Sequence, residues 1–353
     1  MNVAILTFQF AHNYGALLQA YALKTYLQNH NMNAEIAPYY PDWARAEYAI
    51  SPFTKGVPPK RRVRLALQYF KRKKQSRVFS RFIEEELKVN DAISEQKELV
   101  TWLDRHDCVI CGSDQIWNSN ITGKGGAYFA AGSKAEKVSY AASLGTITIT
   151  AEQRSDILQH LPDFAAISVR EPSSAINIEA LIHKETQVVL DPVFLLEPDE
   201  WKRLEEPINV ESRYMLLYFL REDNQLLAFA KMYANQHGLE IYDVHPTMAA
   251  KHRGCKRLDN VGPKEFLWLI QNAECVCTNS FHATAFSVMF QKKLIHIPNS
   301  SSPERTASLL KRIGVELKKS NEIPLYDLKQ CDREKLEIEI QKSRKFLIDA
   351  LCE

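Results

Sequence analysis

A histidine set where a strand runs into a helix is the residue of this chain best placed to do chemistry. Thr278-Asn279-Ser280-Phe281-His282-Ala283-Thr284 follows the short apolar run Glu274-Cys275-Val276-Cys277 and leads into a mostly apolar stretch, 283–290, expected to be helical. Asn279 or Ser280 would cap that helix. The first N–H groups of a helix lack intrahelical partners and the macrodipole is positive at that end, so a carboxylate or phosphate is held there and His282 would touch it. An imidazole can hold a proton near neutral pH and still give it away. A helix-start histidine serves equally as an anchor hydrogen-bonded to a neighbouring loop, so the surrounding elements have to decide.

Those elements alternate strand and helix, the pattern of a parallel sheet covered by helices on both faces. Strands are expected at 3–8, 33–37, 107–111, 137–142, 165–169 and 188–190, with helices at 14–29, 151–161 and 172–183 among them. The later strands end in Gly112-Ser113-Asp114, Ser143-Leu144-Gly145, Arg170-Glu171 and Asp191-Pro192. In open α/β sheets ligands bind beyond the carboxyl ends of the strands, so these turns are expected to converge on one crevice. A second series follows, with strands at 214–220, 239–244 and 294–297, helices at 224–235, 263–271 and 304–313, and a long closing helix over 332–351. Residues 38–57, rich in proline and tyrosine, read as an irregular insertion or lid near the ligand. A chain of 353 residues exceeds one growing core, so two lobes are expected, 1–195 on the acceptor side and 196–331 with the histidine, closed by 332–353.

Hydrophobic residues at 45%, charged residues at 25% and a net charge of +2 fit a soluble globular protein with no overall pull toward nucleic acid. Between Lys60 and Arg81 the chain carries ten Lys or Arg and no acid, interleaved with apolar residues. Such a basic helix suits peripheral contact with anionic lipid, steering of an acidic substrate, or a solvated face. The chain opens directly on a strand without a secretory leader pattern, and no run approaches the roughly 18 apolar residues of a membrane span. A cytoplasmic place is therefore expected, at the inner face of a membrane if the basic helix engages lipid. Seven cysteines without regular spacing are expected to be reduced. Cys108 and Cys111 would point to opposite faces of a strand, and Cys275 and Cys277 lack a second pair, so no metal is expected.

Taken in order, Asn13-Tyr14-Gly15-Ala16 with Leu18-Gln19-Ala20-Tyr21-Ala22-Leu23, Gly112-Ser113-Asp114-Gln115-Ile116-Trp117-Asn118, Tyr140-Ala141-Ala142-Ser143-Leu144-Gly145, Ser168-Val169-Arg170-Glu171, Asp191-Pro192 and Asn279-Ser280-Phe281-His282-Ala283-Thr284 resemble the polysaccharide pyruvyl transferase family over most of the chain. The resemblance implies an α/β fold of two Rossmann-like lobes facing a central cleft, GT-B-like. It also implies a transferase of exopolysaccharide or cell-envelope synthesis. Such an enzyme takes the enolpyruvyl group from phosphoenolpyruvate, joins it as a ketal to two hydroxyls of a sugar, and releases phosphate without a cofactor. The implied partners are phosphoenolpyruvate and a sugar or lipid-linked glycan acceptor.

Under this resemblance His282 matches the family's proton donor and Arg170 its donor clamp, since a guanidinium fork fits carboxylate and phosphate. Ser113, Asn279 and Ser280 are expected on the donor side as well. Several family members have Arg-Leu-His where this chain has Ser280-Phe281-His282, which removes one cation. Arg305, after a loop over 298–303, is expected to supply it from another direction. Amides and aromatics suit a sugar's hydroxyls and apolar face, so Asn13, Tyr14, Gln19, Gln115, Trp117 and Asn118 are expected to meet the acceptor. Asp114 would accept a proton from the attacking hydroxyl or cap the following helix. Fold alone does not fix function, and a nucleotide-sugar glycosyltransferase and a non-catalytic glycan-binding protein stand as rivals.

Overall fold

The alternating runs fold into two six-stranded sheets in a computed structural model that describes residues 1–123, 125–210, 213–245, 252–297, 303–316 and 324–352. In the first sheet β1 (Asn2–Leu6), β2 (Asn33–Ile36), β3 (Cys108–Cys111), β4 (Glu136–Ala142), β5 (Ala166–Val169) and β6 (Thr186–Val188) lie in the order β2-β1-β3-β4-β5-β6, all parallel. In the second, β7 (Tyr214–Tyr218), β8 (Glu240–Val244), β9 (Lys256–Leu258), β10 (Cys275–Thr278), β11 (Lys293–His296) and β12 (Leu325–Asp327) lie in the order β12-β11-β10-β7-β8-β9. Only the β11–β12 pair is antiparallel among the described residues. Strand order reverses between β1 and β3 and again between β7 and β10, and ligands of such sheets bind at these switch points. The three-residue edge strands β9 and β12 and the helices Gln96–Leu103 and Pro198–Leu204 were not foreseen. The stretch 38–57 carries one short helix, Asp42–Glu47.

Side chains alternate across a strand, and here the alternation sorts them into different cores. Val3 and Ile5 of β1, with Leu216 of β7 and Val276 of β10, join one core shared by both lobes. Ala4 and Leu6 belong to an outer core of the first sheet, and Met215, Leu217, Cys275 and Cys277 to an outer core of the second. The lobes are thus packed on each other through a continuous interior. Tyr14, from the first lobe's helix Tyr14–Asn29, stacks on Phe266 at 4.1 Å and donates its hydroxyl to the Val261 carbonyl at 3.0 Å. Trp201 meets Phe286 edge to face at 5.0 Å, and complete burial of a side chain this large contributes about 1.5–3 kcal/mol.

The closing helix, Arg333–Cys352, returns to the first lobe. Ser343 Oγ accepts from the Leu190 N–H at 2.9 Å and Arg344 donates to the Leu195 carbonyl at 2.7 Å. The cysteines are free thiols; burial pushes Cys108 and Cys275 up to about 12, which leaves them unreactive.

Two histidines are held as neutral rings, His296 fully buried and His12 partly exposed. His296 in β11 shares a hydrogen bond through Nδ1 with the Thr278 carbonyl at 2.9 Å, and His12, after β1, stacks on Phe79 at 5.3 Å. Burial lowers both to about 4; Arg72 adds to the effect at His12, and the Thr278 carbonyl opposes it at His296. An unfolded imidazole titrates near about 6.5, so the unfolded chain takes up protons that the folded one refuses as pH falls from there toward 4. The unfolding free energy measured with denaturant is expected to drop across that interval by on the order of 3 kcal/mol per histidine. His296→Gln should remove about half of the drop. A flat profile across the interval would contradict the burial of these rings.

Candidate functional site

Turns at the carboxyl ends of the first sheet meet a helix start of the second. Asp114 follows β3, Ser143 follows β4, Arg170 and Glu171 follow β5, and Asp191 follows β6; from the other lobe come His282, in the first turn of helix Phe281–Met289, and Arg305, in the first turn of helix Pro303–Arg312. Arg170 Nη1 donates to Asp191 Oδ2 at 2.6 Å, and Ser113 Oγ reaches the same oxygen at 3.3 Å. His282 Nε2 lies 3.4 Å from that oxygen across the lobe boundary. Asp114 Oδ1 lies 3.7 Å from Arg170 Nη2 and 3.6 Å from Arg305 Nη2, and Glu171 Oε1 lies 3.4 Å and 3.5 Å from the Nε atoms of the two arginines.

Local chemistry holds these groups in place. Ser280 caps the His282 helix, its Oγ accepting from the Ala283 N–H at 3.4 Å. Asn279 ties the same turn to the end of β7, accepting from the Leu220 N–H and donating to the Arg221 carbonyl, each at 2.8 Å. Gly112 has φ +139° and a Cβ there would lie 2.2 Å from the Tyr140 carbonyl oxygen, so only glycine fits the approach to Asp114. Asp114 itself sits at φ +73°, a left-handed conformation uncommon for side chains but one that Asp tolerates better than most. Gly15, at the start of the first helix, provides the seat for the imidazole: a Cβ on it would come within 2.0 Å of His282 Nδ1.

Electrostatics bind the cluster together. Burial alone would raise the Asp191 carboxyl, but His282 and Arg170 hold it well below the usual carboxylate range. Asp114 is likewise lowered against the effect of burial, by Arg170, His282 and Arg305. Arg170 is raised by Glu171, Asp191 and Asp114 in spite of its burial. Arg305 goes the other way, to about 10, because burial and repulsion from Arg170 outweigh the carboxylates around it, yet it remains a cation at neutral pH. Both guanidinium groups lie over the Phe281 ring, at 4.6 Å for Arg170 and 5.2 Å for Arg305. With two guanidinium groups against three carboxylates, the cluster has no surplus of positive charge, and a protonated His282 brings it to balance. Arg170 Nη2, Arg305 Nε and His282 Nε2 are buried, each facing a carboxylate oxygen at 3.7, 3.5 and 3.4 Å, an ion-pair contact longer than an ordinary hydrogen bond. Three such atoms in one cluster mark the place of an acceptor-rich ligand. Among the described residues no three His, Cys, Asp or Glu side chains are arranged to hold a metal ion.

Of the residues expected at the site, His282, Arg170, Arg305 and Asp114 come together. Arg305 does bring a second guanidinium into the cluster from its own helix; the preceding loop, 298–302, lies outside the described residues. Ser113, Asn279 and Ser280 bond Asp191 and backbone groups with their side chains. Tyr14, Gln19 and Trp117 have almost no exposed surface and are not acceptor contacts: Tyr14 packs between the lobes, Gln19 bonds Thr7 and the Ser113 N–H, and Trp117 stacks on Phe129. Asn13 caps the first helix through the Gly15 N–H at 3.0 Å, and Asn118 caps a short helix while donating to Gln115. Asp114 caps no helix; its carboxylate accepts from the next N–H, that of Gln115, at 2.8 Å. Glu171, Asp191, Phe281 and Gly15 were quoted only within motifs, and their signal was position, since each stands at a strand end or a helix start. A cavity of about 660 Å³ beside Gly126 and His160 is lined by none of the cluster's residues.

A profile described as polysaccharide pyruvyl transferase matches residues 13–301. No curated relative matches the sequence. Among solved structures the chain is similar to a putative UDP-N-acetylglucosamine 2-epimerase from Listeria monocytogenes, at 12% identity and a TM-score of 0.51, with 99% of this chain and 91% of that one covered. It is also similar to UDP-GlcNAc 2-epimerase from Neisseria meningitidis bound to UDP-GlcNAc, at 13% identity and a TM-score of 0.50, with 99% of both chains covered. Identity this low speaks for the fold alone, which is of the GT-B kind.

Gly15 gives a test of the geometry with a distinctive sign. At a helix position without a steric clash, Gly→Ala stabilises by up to about 1 kcal/mol. Here Gly15→Ala is expected to destabilise by about 1–3 kcal/mol through overpacking and to displace the His282 ring. Thermal unfolding and a crystal structure of the variant check both. A stabilised Gly15→Ala protein would refute the contact.

Proposed function

This chain belongs to the polysaccharide pyruvyl transferase family, and we propose that it takes the enolpyruvyl group of phosphoenolpyruvate and joins it as a ketal to two hydroxyls of a glycan acceptor, releasing phosphate. The observation that carries this reading is the convergence of Arg170, Arg305 and His282, each with a buried donor atom whose carboxylate neighbour stands 3.4–3.7 Å away, too far for an ordinary hydrogen bond. A small ligand with both a carboxylate and a phosphate offers acceptors to two guanidinium groups and one imidazole at once. The Phe281 ring beneath both guanidinium groups fixes their planes, as a rigid platform for such a ligand.

In the proposed reaction His282 gives its Nε2 proton to the methylene carbon of phosphoenolpyruvate, which becomes a methyl group and leaves the central carbon electrophilic. The Asp191 carboxylate lies 3.4 Å from Nε2, on the ring edge that carries this proton. The first sugar hydroxyl attacks the central carbon and its proton passes to Asp114, the most exposed of the three acids at 14%. A carboxylate held low is a weak base, but attack on a cationic carbon acidifies the hydroxyl and lowers the demand. The carbon–oxygen bond to phosphate then breaks, the second hydroxyl adds, and its proton leaves with the phosphate. Proton return from Asp114 to His282 resets the pair.

The acceptor is a sugar or lipid-linked glycan in this reading, and the basic helix Pro59–Phe82 meets the surface of an anionic membrane, at its inner face. Val63, Leu67 and Phe70 support that contact, since they lie on one stripe of the helix at 65%, 84% and 85% exposure among lysines and arginines. No described helix is long and apolar enough to cross a membrane.

Radiolabelled phosphoenolpyruvate with a panel of glycans tests the reaction, and transfer from a nucleotide sugar with no consumption of phosphoenolpyruvate would favour the glycosyltransferase. His282→Gln is expected to keep donor affinity and to lower turnover by roughly 100-fold or more, the usual scale of a general acid. Near-normal turnover in that variant would remove His282 from proton transfer. Arg170→Ala should weaken donor binding by at least about 10-fold, and Arg170→Lys should recover only part, because an ammonium cannot replace a planar fork. Calorimetric donor titrations that leave both variants at wild-type affinity would refute the clamp.

A further inference from the structure

We propose that Arg61, Arg64 and Arg72 form a second anion site, which holds the phosphate ester through which the acceptor sugar is carried. The inference rests on the pyruvyl-transfer reading of the cluster around His282. The three guanidinium groups project from the helix Pro59–Phe82 and line a cavity of about 280 Å³, closed by His12, Gln75 and Ser76.

The charge in this cavity is unbalanced. Glu47 is the one carboxylate among its lining residues, and it is engaged by Arg61, whose Nη1 donates to Oε2 at 3.1 Å. Arg72 donates to the neutral Gln68 Oε1 at 3.1 Å, and Arg64 has no carboxylate within ion-pair distance among the described residues. Burial and repulsion from Arg64 and Arg61 push Arg72 below its ordinary value, with Glu47 opposing. His12, held neutral by burial, leaves the sign of the field to the arginines. A cavity that concentrates three cations around one acid is completed by a dianion, and guanidinium forks match phosphate oxygens in pairs.

Position joins this cavity to the reacting cluster. His12 stands three residues before Gly15, on which the His282 ring rests. Tyr48, also in the cavity wall, is partly buried against the outer core of the first sheet, and the Asp114 carboxylate adds to burial in raising its phenol. A sugar esterified to a phosphate held by the arginines would therefore extend past Tyr48 toward Asp114. The ligand class is a glycosyl phosphate or diphosphate, carried on a lipid or on a nucleotide.

Calorimetric titration of the intact protein without phosphoenolpyruvate tests the site, with inorganic pyrophosphate, farnesyl diphosphate and UDP as probes. Pyrophosphate is expected to bind the wild type, to bind at least about 10-fold more weakly to Arg64→Ala/Arg72→Ala, and to weaken as salt is added. The Arg64→Lys/Arg72→Lys protein, which keeps the charge, should recover part of the affinity. Tighter binding of farnesyl diphosphate than of pyrophosphate assigns a lipid carrier, and tighter binding of UDP a nucleotide carrier. The proposal is overturned if pyrophosphate fails to bind the wild type, binds the alanine double variant equally well, or loses affinity on Arg170→Ala instead. Phosphoenolpyruvate titrated into the same proteins separates the two readings. Unchanged donor affinity in the alanine double variant sets the two anions at different sites, whereas no donor binding to the wild type removes the pyruvyl-transfer reading and leaves the arginine site standing.

Discussion

Asp191 accepts from Arg170 of its own lobe and faces His282 of the other, so its carboxylate is the point through which the two halves of the cluster are held together. The group is fully buried, and its second oxygen accepts from the Val193 N–H at 3.2 Å. Removing one partner of a buried ion pair typically costs about 3–5 kcal/mol, because the charge left behind has no solvent to turn to. Each member of the Arg170–Asp191–His282 chain is therefore held by the need of the next. The Gly15 seat and the Ser280 cap restrict the imidazole further, leaving it one orientation rather than a range.

Packing makes such a chain affordable. The inner faces of both sheets share one core, with Tyr14, Phe266, Trp201 and Phe286 filling it and the closing helix binding back onto the first lobe. A boundary this well packed keeps water from competing with the ion pairs, and low dielectric strengthens them. It leaves the nitrogens of Arg170, Arg305 and His282 with long ion-pair contacts in place of short hydrogen bonds, which is the physical reason to read them as a ligand site. The cluster and the arginine cavity differ in this respect. One balances its guanidinium groups with carboxylates; the other sets three arginines against one acid, Glu47, which pairs with Arg61.

Much of the fold was legible because its strands are apolar runs punctuated by polar turns. The helix at 14–29 matches Tyr14–Asn29, and the strand-end turns do converge, as the carboxyl-end rule requires. What escaped notice was short or locally ambiguous. Lys256–Leu258 and Leu325–Asp327 are three-residue edges whose strand character comes from a neighbour's hydrogen bonds rather than from their own composition. Tyr14, Gln19 and Trp117 read as sugar contacts because amides and aromatics recognise sugars; the same chemistry also lets a buried side chain satisfy its polar atom while filling space, which is how they are used.

By itself the sequence determined the element order, the apolar interior and the arrival of a histidine and an arginine at strand ends, because these follow from periodicity and from the chemistry of turns. It also carried the family motifs. Only the tertiary structure decided which charges face one another. Asp191 and His282 are 91 residues apart and Arg170 and Arg305 are 135 apart, and no local rule links them. Their pairing is set by how two lobes pack, and so are the seat that Gly15 gives to an imidazole and the Phe281 platform beneath two guanidinium groups.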